Sequence, residues 1–238
     1  MKAIYQTSYS FYYDHKKPVN FVLLSDLHFS AKLKNAVLEK VLDWAQKQKP
    51  DYILLLGDLV HCLDELDDKT QLKRFTGFMK RLSDIAPIIS ILGNHDLYRR
   101  DSAKKDCWRV CSPGVITSAL ADNPRITFLQ NAAYEDDKLY IYGFAPDSEY
   151  YCYDSAHGNK SSIFSPQVED KNILIHNFKQ IPAVKIHNLP NNKIKLFLCH
   201  SPVYLGDKAI KPYRTDFDAY LSGHMHNGVV PPALNDFW

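Results

Sequence analysis

The chain has 238 residues, with 29 Lys and Arg against 27 Asp and Glu, 45% apolar residues and only 9 Gly. A chain of this length can bury roughly 70–75% of its unfolded surface, so neither metals nor disulfides are needed to hold it together, and any metal site calls for a chemical reason. A net charge of +2 with scattered Lys and Arg excludes the broad basic field of a duplex-wrapping protein; one basic rim is the most that the charge allows, and there is no strong nucleic-acid signal.

The opening residues 1–18 alternate polar and aromatic side chains where a signal peptide needs a continuous apolar stretch. No run approaches the ~20 apolar residues that span a bilayer, so the expected location is cytoplasmic. Cys62, Cys107, Cys111, Cys152 and Cys199 make an odd set with no C-x-x-C pair, which suggests a reducing compartment and thiols packed as small apolar groups. Cys107 and Cys111 stand four apart and could share a helix face, but with no third ligand nearby ordinary packing is favoured over a metal pair.

Residues 19–24, 52–56, 88–92 and 196–199 are short, continuously apolar and rich in β-branched or aromatic residues, as buried strands are. Between the first two runs, Ser30 reads as the N-cap of a helix carrying Val37, Leu38, Val41, Leu42 and Ala45 on one face until Pro50. Leu72, Phe75, Phe78, Met79 and Leu82 repeat the pattern before Pro87. These are two β-α-β passages, so the first hundred residues predict helices covering a sheet. Further on, 126–129 and 139–142 read as strands of a hairpin with a polar turn at Glu135, Asp136 and Asp137. The stretch from Pro146 to about Asp170 is Tyr-, Ser- and Asp-rich without period and reads as irregular. Within it, Tyr150, Tyr151 and Tyr153 suggest a lid stacking on a nucleoside or sugar, with packing against the sheet the favoured alternative. Repeats, low-complexity tracts and linkers are absent, so one domain is expected over 1–238, with two tightly fused units the alternative.

The informative feature is the polar group at the end of each apolar run. Leu24-Ser25 runs into Asp26-Leu27-His28, Gly57 into Asp58, Gly93 into Asn94-His95-Asp96, Cys199 into His200, and Gly223 into His224-Met225-His226. In open α/β sheets ligands bind beyond the carboxyl ends of strands, so these groups are expected to converge. The chemistry that uses such a set is a dinuclear metal site, in which a carboxylate offsets the repulsion between two cations and imidazoles complete each shell. Strand alternation places Asp26 and His28 on one side, and His224 and His226 likewise. Glycines before Asp58, Asn94 and His224 let the backbone turn sharply.

The ordered series Asp26-x-His28, Gly57-Asp58, Gly93-Asn94-His95-Asp96, His200, Gly223-His224-x-His226 resembles the calcineurin-like metallophosphoesterase superfamily, over most of the chain. The Ser-Asp-Leu-His start and Gly-His-Met-His-Asn-Gly end are similar to those of small bacterial phosphohydrolases. The resemblance implies an α/β fold of two stacked mixed β-sheets flanked by helices. It implies Asp26, His28 and His226 on a first metal, Asn94, His200 and His224 on a second, and Asp58 bridging both. A carboxylate from the middle of the sheet is also where the residue pattern puts a bridge. The family role of His95 is to face the substrate phosphate and leaving group, with Asp96 orienting its ring. The implied reaction is hydrolysis of phosphate mono- or diesters by a metal-bridging hydroxide, without a covalent enzyme intermediate. Imidazole and carboxamide ligands mixed with carboxylates point to Mn, Fe, Zn, Ni or Co rather than Mg or Ca. Two readings compete: a catalytically silent binding module of the same fold, which should lack ligands or His95, and a nuclease of the superfamily, which neither length nor charge favours.

His176 also ends an apolar run, but His200, followed by Ser-Pro and a short path to Gly223-His224, fits the family pattern better. His61, three residues after Asp58, either lines the cleft or starts a surface helix; His15, His157 and His187 lie in polar segments and read as solvated. Family members continue past Gly-His-x-His into further strands, whereas this chain ends twelve residues after His226, so it is expected to be short or to lack its C-terminal strands.

Overall fold

The computed structural model describes residues 18–100, 108–110, 114–145, 192–202 and 216–224. The apolar runs become strands β1 (Phe21–Leu24), β2 (Tyr52–Leu56) and β3 (Ile88–Ile91), joined by helices α1 (Asn35–Gln48) and α2 (Lys69–Ile85). All three strands are parallel, and β6 (Ile126–Phe128) adds beside β3 to give the order β1-β2-β3-β6. A second sheet holds β7 (Ala132–Glu135), β8 (Leu139–Phe144), β9 (Ile194–Cys199) and β10 (Ala219–Leu221), ordered β10-β9-β8-β7 and parallel except for the β7–β8 pair. Strands β4 (Tyr98–Arg100) and β5 (Trp108–Val110) form a small antiparallel ribbon, followed by the short helix α3 (Gly114–Ala119). Among the described residues no helix is long and apolar enough to cross a membrane.

Alternation sorts the side chains into layers. Leu54 and Leu56 of β2, Ile89 and Ile91 of β3, Leu139 and Ile141 of β8, and Leu196 and Leu198 of β9 form the apolar layer between the sheets. The intervening Ile53, Leu55 and Ile88 face α1 and α2, meeting Leu38, Leu42, Ala45, Phe75, Phe78, Met79 and Leu82. This is the expected architecture of two stacked sheets with helices outside. Cys62 and Cys199 are buried free thiols, also as expected, while Cys107, Cys111, Cys152 and Tyr150, Tyr151 and Tyr153 lie outside the described residues.

Two local expectations change. Ser30 does not cap α1: its carbonyl closes a turn with the Leu33 N–H at 3.0 Å, and the helix begins at Asn35. Arg74 of α2 holds that turn by donating to Ser30 O, Leu33 O and Asn35 Oδ1, with its guanidinium 4.9 Å from the centre of the Phe29 ring. The hairpin around Asp136 is real, but its first strand is β7 and not 126–129, which joins the other sheet. Ala132-Ala133-Tyr134-Glu135 is a half-exposed edge strand and carries too little apolar signal to announce itself.

Asp136 ties the two sheets at the end where β2 and β8 begin. Its Oδ2 accepts the Tyr52 hydroxyl at 2.5 Å and the Tyr134 hydroxyl at 2.9 Å, and its Oδ1 accepts the Lys138 and Leu139 N–H groups at 2.8 Å each. Burial disfavours the charged form, but the Tyr52 hydroxyl, the two N–H groups and the Tyr134 hydroxyl outweigh it and hold the carboxyl below its ordinary range. A lowered pKa contributes stability that is complete above the unfolded value of about 3.9 and is lost as pH falls through the folded value. Asp136→Ala should therefore destabilise the fold by about 1–3 kcal/mol at pH 7, the partial exposure of the carboxylate keeping the figure modest. In urea titrations at descending pH, the gap between variant and wild type should narrow below pH about 4.

Candidate metal centre

The site forms where the C-terminal ends of β1, β2 and β3 meet those of β9 and β10. Past β1 and β2 the chains remain paired outside the sheet: Asp26 N–H donates to Gly57 O at 3.1 Å, His28 N–H to Asp58 O at 3.0 Å, and Phe29 N–H to Leu59 O at 2.9 Å. Asp26, His28, Asp58 and His224 all have left-handed backbone, with φ of 56°, 43°, 52° and 70°. Left-handed backbone costs a non-glycine residue about 1–2 kcal/mol, and Asp bears it more easily than His. These kinks, rather than the expected strand alternation, turn Asp26 and His28 toward Asp58.

Glycines let the loops close on one another. Gly57 has φ +92°, and a Cβ there would stand 2.6 Å from both Gly93 N and His200 Nδ1. A Cβ on Gly93 would overlap Asp58 Oδ1 and lie 2.8 Å from His200 Cε1. On the far side, a Cβ on Gly223 would run into Ser25 Oγ, and the next N–H, that of His224, donates to both Asp26 carboxylate oxygens at 3.1 and 3.2 Å.

Ligand-type atoms converge in three overlapping groups, each within 4.8 Å: Asp26, His28 and Asp58; Asp58, His200 and His224; and His28, His61 and His95. Asp58, 1% exposed, uses Oδ1 to accept the His95 N–H at 2.9 Å. Its Oδ2 receives no hydrogen bond and faces His200 Nε2 at 3.3 Å and His28 Nε2 at 3.8 Å. His200 Nδ1 is 2.7 Å from Leu56 O and must donate to it, so in the neutral ring Nε2 presents a lone pair. That lone pair looks at Asn94 Oδ1 at 3.2 Å, His224 Nδ1 at 3.1 Å and Asp58 Oδ2. A single proton shared with Nε2 can satisfy one of these three contacts. A divalent cation can serve all of them, and the mix of imidazole, carboxylate and carboxamide suits a first-row transition metal. The residues present therefore fit the metal that the sequence implies.

Electrostatics around Asp58 follow from this crowding. Burial raises its carboxyl, but His200 first and then His95 and His28 outweigh burial and hold it well below the ordinary range. For His200 burial disfavours the charged ring, and Asp58 reverses the balance and holds its pKa above the ordinary imidazole value. Asp96 is fully buried, and burial together with the Asp58 charge pushes it up to about 7 against the pull of the Gly93 and Val60 N–H groups.

Of the expected site residues, Asp26, His28, Asp58, Asn94, His95, His200 and His224 come together here, while His226 and the rival His176 lie outside the described residues, as do His15, His157 and His187. His61 joins the cluster: its ring stacks on His95 with centroids 5.5 Å apart and meets His28 edge-on at 6.0 Å. The expected Asp96–His95 contact is corrected. Asp96 accepts the Val60 and Gly93 N–H groups, and the His61 carbonyl, 2.6 Å from His95 Nδ1, holds the ring instead. Neither that carbonyl nor Leu56 O could be found from side-chain identity, because every residue carries one.

The model describing calcineurin-like phosphoesterases matches residues 19–228. The chain belongs to that family. It is 23% identical over 222 residues to an uncharacterized metallophosphoesterase of Campylobacter jejuni, a match spanning 92% of this chain and 47% of that protein. It is 31% identical over 87 residues to the phosphodiesterase YaeI of Escherichia coli, spanning 37% of this chain and 31% of that protein. The chain thus spans about half the length, or less, of these relatives. Among solved structures it is similar to the Pseudomonas putida nuclease MPE, at 15% identity over 52% of this chain and 60% of that one, with a TM-score of 0.29.

Close loop contact at Gly93 should show in stability. Gly93→Ala forces Asp58 and His200 apart and should destabilise by about 1–3 kcal/mol. Gly77→Ala, on α2 with nothing within 4 Å of the new methyl group, should instead gain about 0.5–1 kcal/mol. Urea denaturation of the two variants beside wild type checks the opposite signs.

Proposed function

We propose that this chain is a metal-dependent phosphohydrolase acting on phosphate mono- or diesters, with two divalent transition-metal ions at the strand ends. The observation that carries the reading is the buried nest of ligand-type atoms in which Asn94 Oδ1, His224 Nδ1 and Asp58 Oδ2 all stand 3.1–3.3 Å from His200 Nε2. Asp26, His28 and His226 would hold one ion and Asn94, His200 and His224 the other, with Asp58 shared. Manganese is one candidate beside iron, zinc, nickel and cobalt. Such ions supply Lewis acidity toward phosphate oxygens and a water acidified enough to act as a nucleophile at neutral pH.

The side chains prepare that chemistry. Asp58 keeps Oδ1 on the His95 N–H, which turns Oδ2 toward the imidazoles and makes it the atom for bridging. His200 is locked by Leu56 O in the tautomer that presents Nε2. His95 donates Nδ1–H to His61 O, which leaves Nε2 as the nitrogen that, in the imidazolium form of the ring, would give its proton to the leaving oxygen. The stacked His61 ring keeps the His95 plane fixed beside His28, whose ring lies edge-on to it at 4.5 Å. A silent binding module has no use for an imidazole so placed, and this favours the enzyme.

Two measurements test the proposal. Wild type should take up close to two Mn²⁺ ions per chain in equilibrium dialysis, and Asp58→Ala should lose both together, since the remaining groups cannot offset the repulsion between cations; undiminished uptake by Asp58→Ala would remove the shared-carboxylate assignment. His95→Ala should keep its metal yet lose about 10²–10⁴-fold in kcat on esters with alkoxide leaving groups, and much less on p-nitrophenyl phosphate esters, whose leaving group departs without a proton. An equal loss on both substrate classes would move His95 from proton donation to phosphate binding.

A further inference from the structure

Asp96 follows His95 directly, and the family resemblance gives its carboxylate to the His95 ring. The structure puts it elsewhere. Oδ1 accepts the Val60 N–H at 3.0 Å and Oδ2 accepts the Gly93 N–H at 2.8 Å, and the side chain is 0% exposed. Val60 lies two residues past Asp58, on the loop that leaves β2; Gly93 immediately precedes Asn94, on the loop that leaves β3. One carboxylate therefore bonds to both loops.

Asp58 reaches in the opposite direction. It belongs to the β2 loop and crosses over to accept the His95 N–H of the β3 loop at 2.9 Å. The two loops exchange carboxylates: Asp96 is held by the Val60 amide of the β2 loop, and Asp58 by the His95 amide of the β3 loop. Between them lies Gly93, where even a methyl group would overlap Asp58 Oδ1, so the loops have no room to approach further. Loss of the Asp96 bonds would let them separate, and the spacing of Asp58 and Asn94 would go with them. The His95 ring does not depend on Asp96, since His61 O takes its Nδ1–H.

We infer that Asp96 is a positioning residue for the metal-holding frame, setting Asp58 against Asn94 through the Val60 and Gly93 amides, and not the partner of the His95 imidazole. The inference rests on the proposed metal site. Asp96→Asn is the sharp variant, because it keeps size and shape but turns one acceptor oxygen into an NH₂ that confronts a backbone N–H.

Partners that orient a metal site from behind its ligands are typically worth 10–100-fold in metal affinity. Asp96→Asn should weaken Mn²⁺ binding by about that factor in equilibrium dialysis, and by the same factor in a His95→Ala background. Activity at limiting Mn²⁺ should fall equally for alkoxide and p-nitrophenolate leaving groups and recover for both as Mn²⁺ is raised. Unchanged Mn²⁺ affinity with a loss confined to alkoxide leaving groups would overturn the inference and return Asp96 to His95. If wild type itself binds no Mn²⁺, the proposed function fails; if wild type binds and Asp96→Asn binds equally well, only the present inference fails. Should Asp96→Asn not fold, amide hydrogen exchange decides: Val60 and Gly93 should be equally protected in wild type and His95→Ala, and loss of that protection in His95→Ala would overturn the inference.

Discussion

One buried carboxylate organises the candidate site. Asp58 sits past the central strand β2, flanked by β1 and β3, so its side chain is the one that can reach both the Asp26–His28 loop and the Asn94–His95 loop. One of its oxygens is committed to a backbone N–H and the other is turned toward imidazoles in a space that excludes water. A charged oxygen in that position is stable only with positive charge beside it. In the proposed enzyme that charge is metal. The same set of contacts explains why His200, from the other sheet, must lie against the glycine pair Gly57 and Gly93.

The rest of the fold reads as support for this arrangement. Parallel pairing places the carboxyl ends of β1, β2 and β3 on one side of their sheet and those of β9 and β10 on one side of theirs, and the apolar layer of Leu54, Leu56, Ile89, Ile91, Ile141 and Leu198 fixes the two sheets so that His200 and His224 face Asp58. Left-handed backbone at Asp26, His28, Asp58 and His224 is locally unfavourable, and such conformations persist where surrounding structure over-determines them. The ladder from Asp26 to Phe29 with the β2 loop, the Arg74 clasp on the turn after it, and the His224 N–H on Asp26 provide that over-determination.

Much of this was legible in the sequence because it rests on side-chain type and period. Parallel β-α-β passages follow from apolar runs separated by 3.6-residue periodicity, and the site residues that converge in the structure follow from polar groups placed after those runs. The features that escaped rest on backbone or on distance. Ser30 has the right side chain for a cap, but Arg74, 44 residues away, claims its carbonyl. Strand β7 lacks an apolar pattern because it is a sheet edge. Asp96 is adjacent to His95 in sequence, yet a three-residue 3₁₀ turn, His95–Leu97, carries its side chain back under the Val60 and Gly93 amides. His61 carried a usable signal, its spacing from Asp58, but spacing alone does not separate a cleft from a surface.

The central claim is that one carboxylate is shared by two ions, and the electron paramagnetic resonance spectrum of the Mn²⁺-loaded wild-type chain tests it most directly. Ions in two-metal hydrolytic sites lie about 3.5–4 Å apart, close enough for their spins to couple. The account predicts a multiline, exchange-coupled spectrum that grows in as the second equivalent of Mn²⁺ binds. A six-line spectrum of isolated Mn²⁺ persisting at full loading would contradict it.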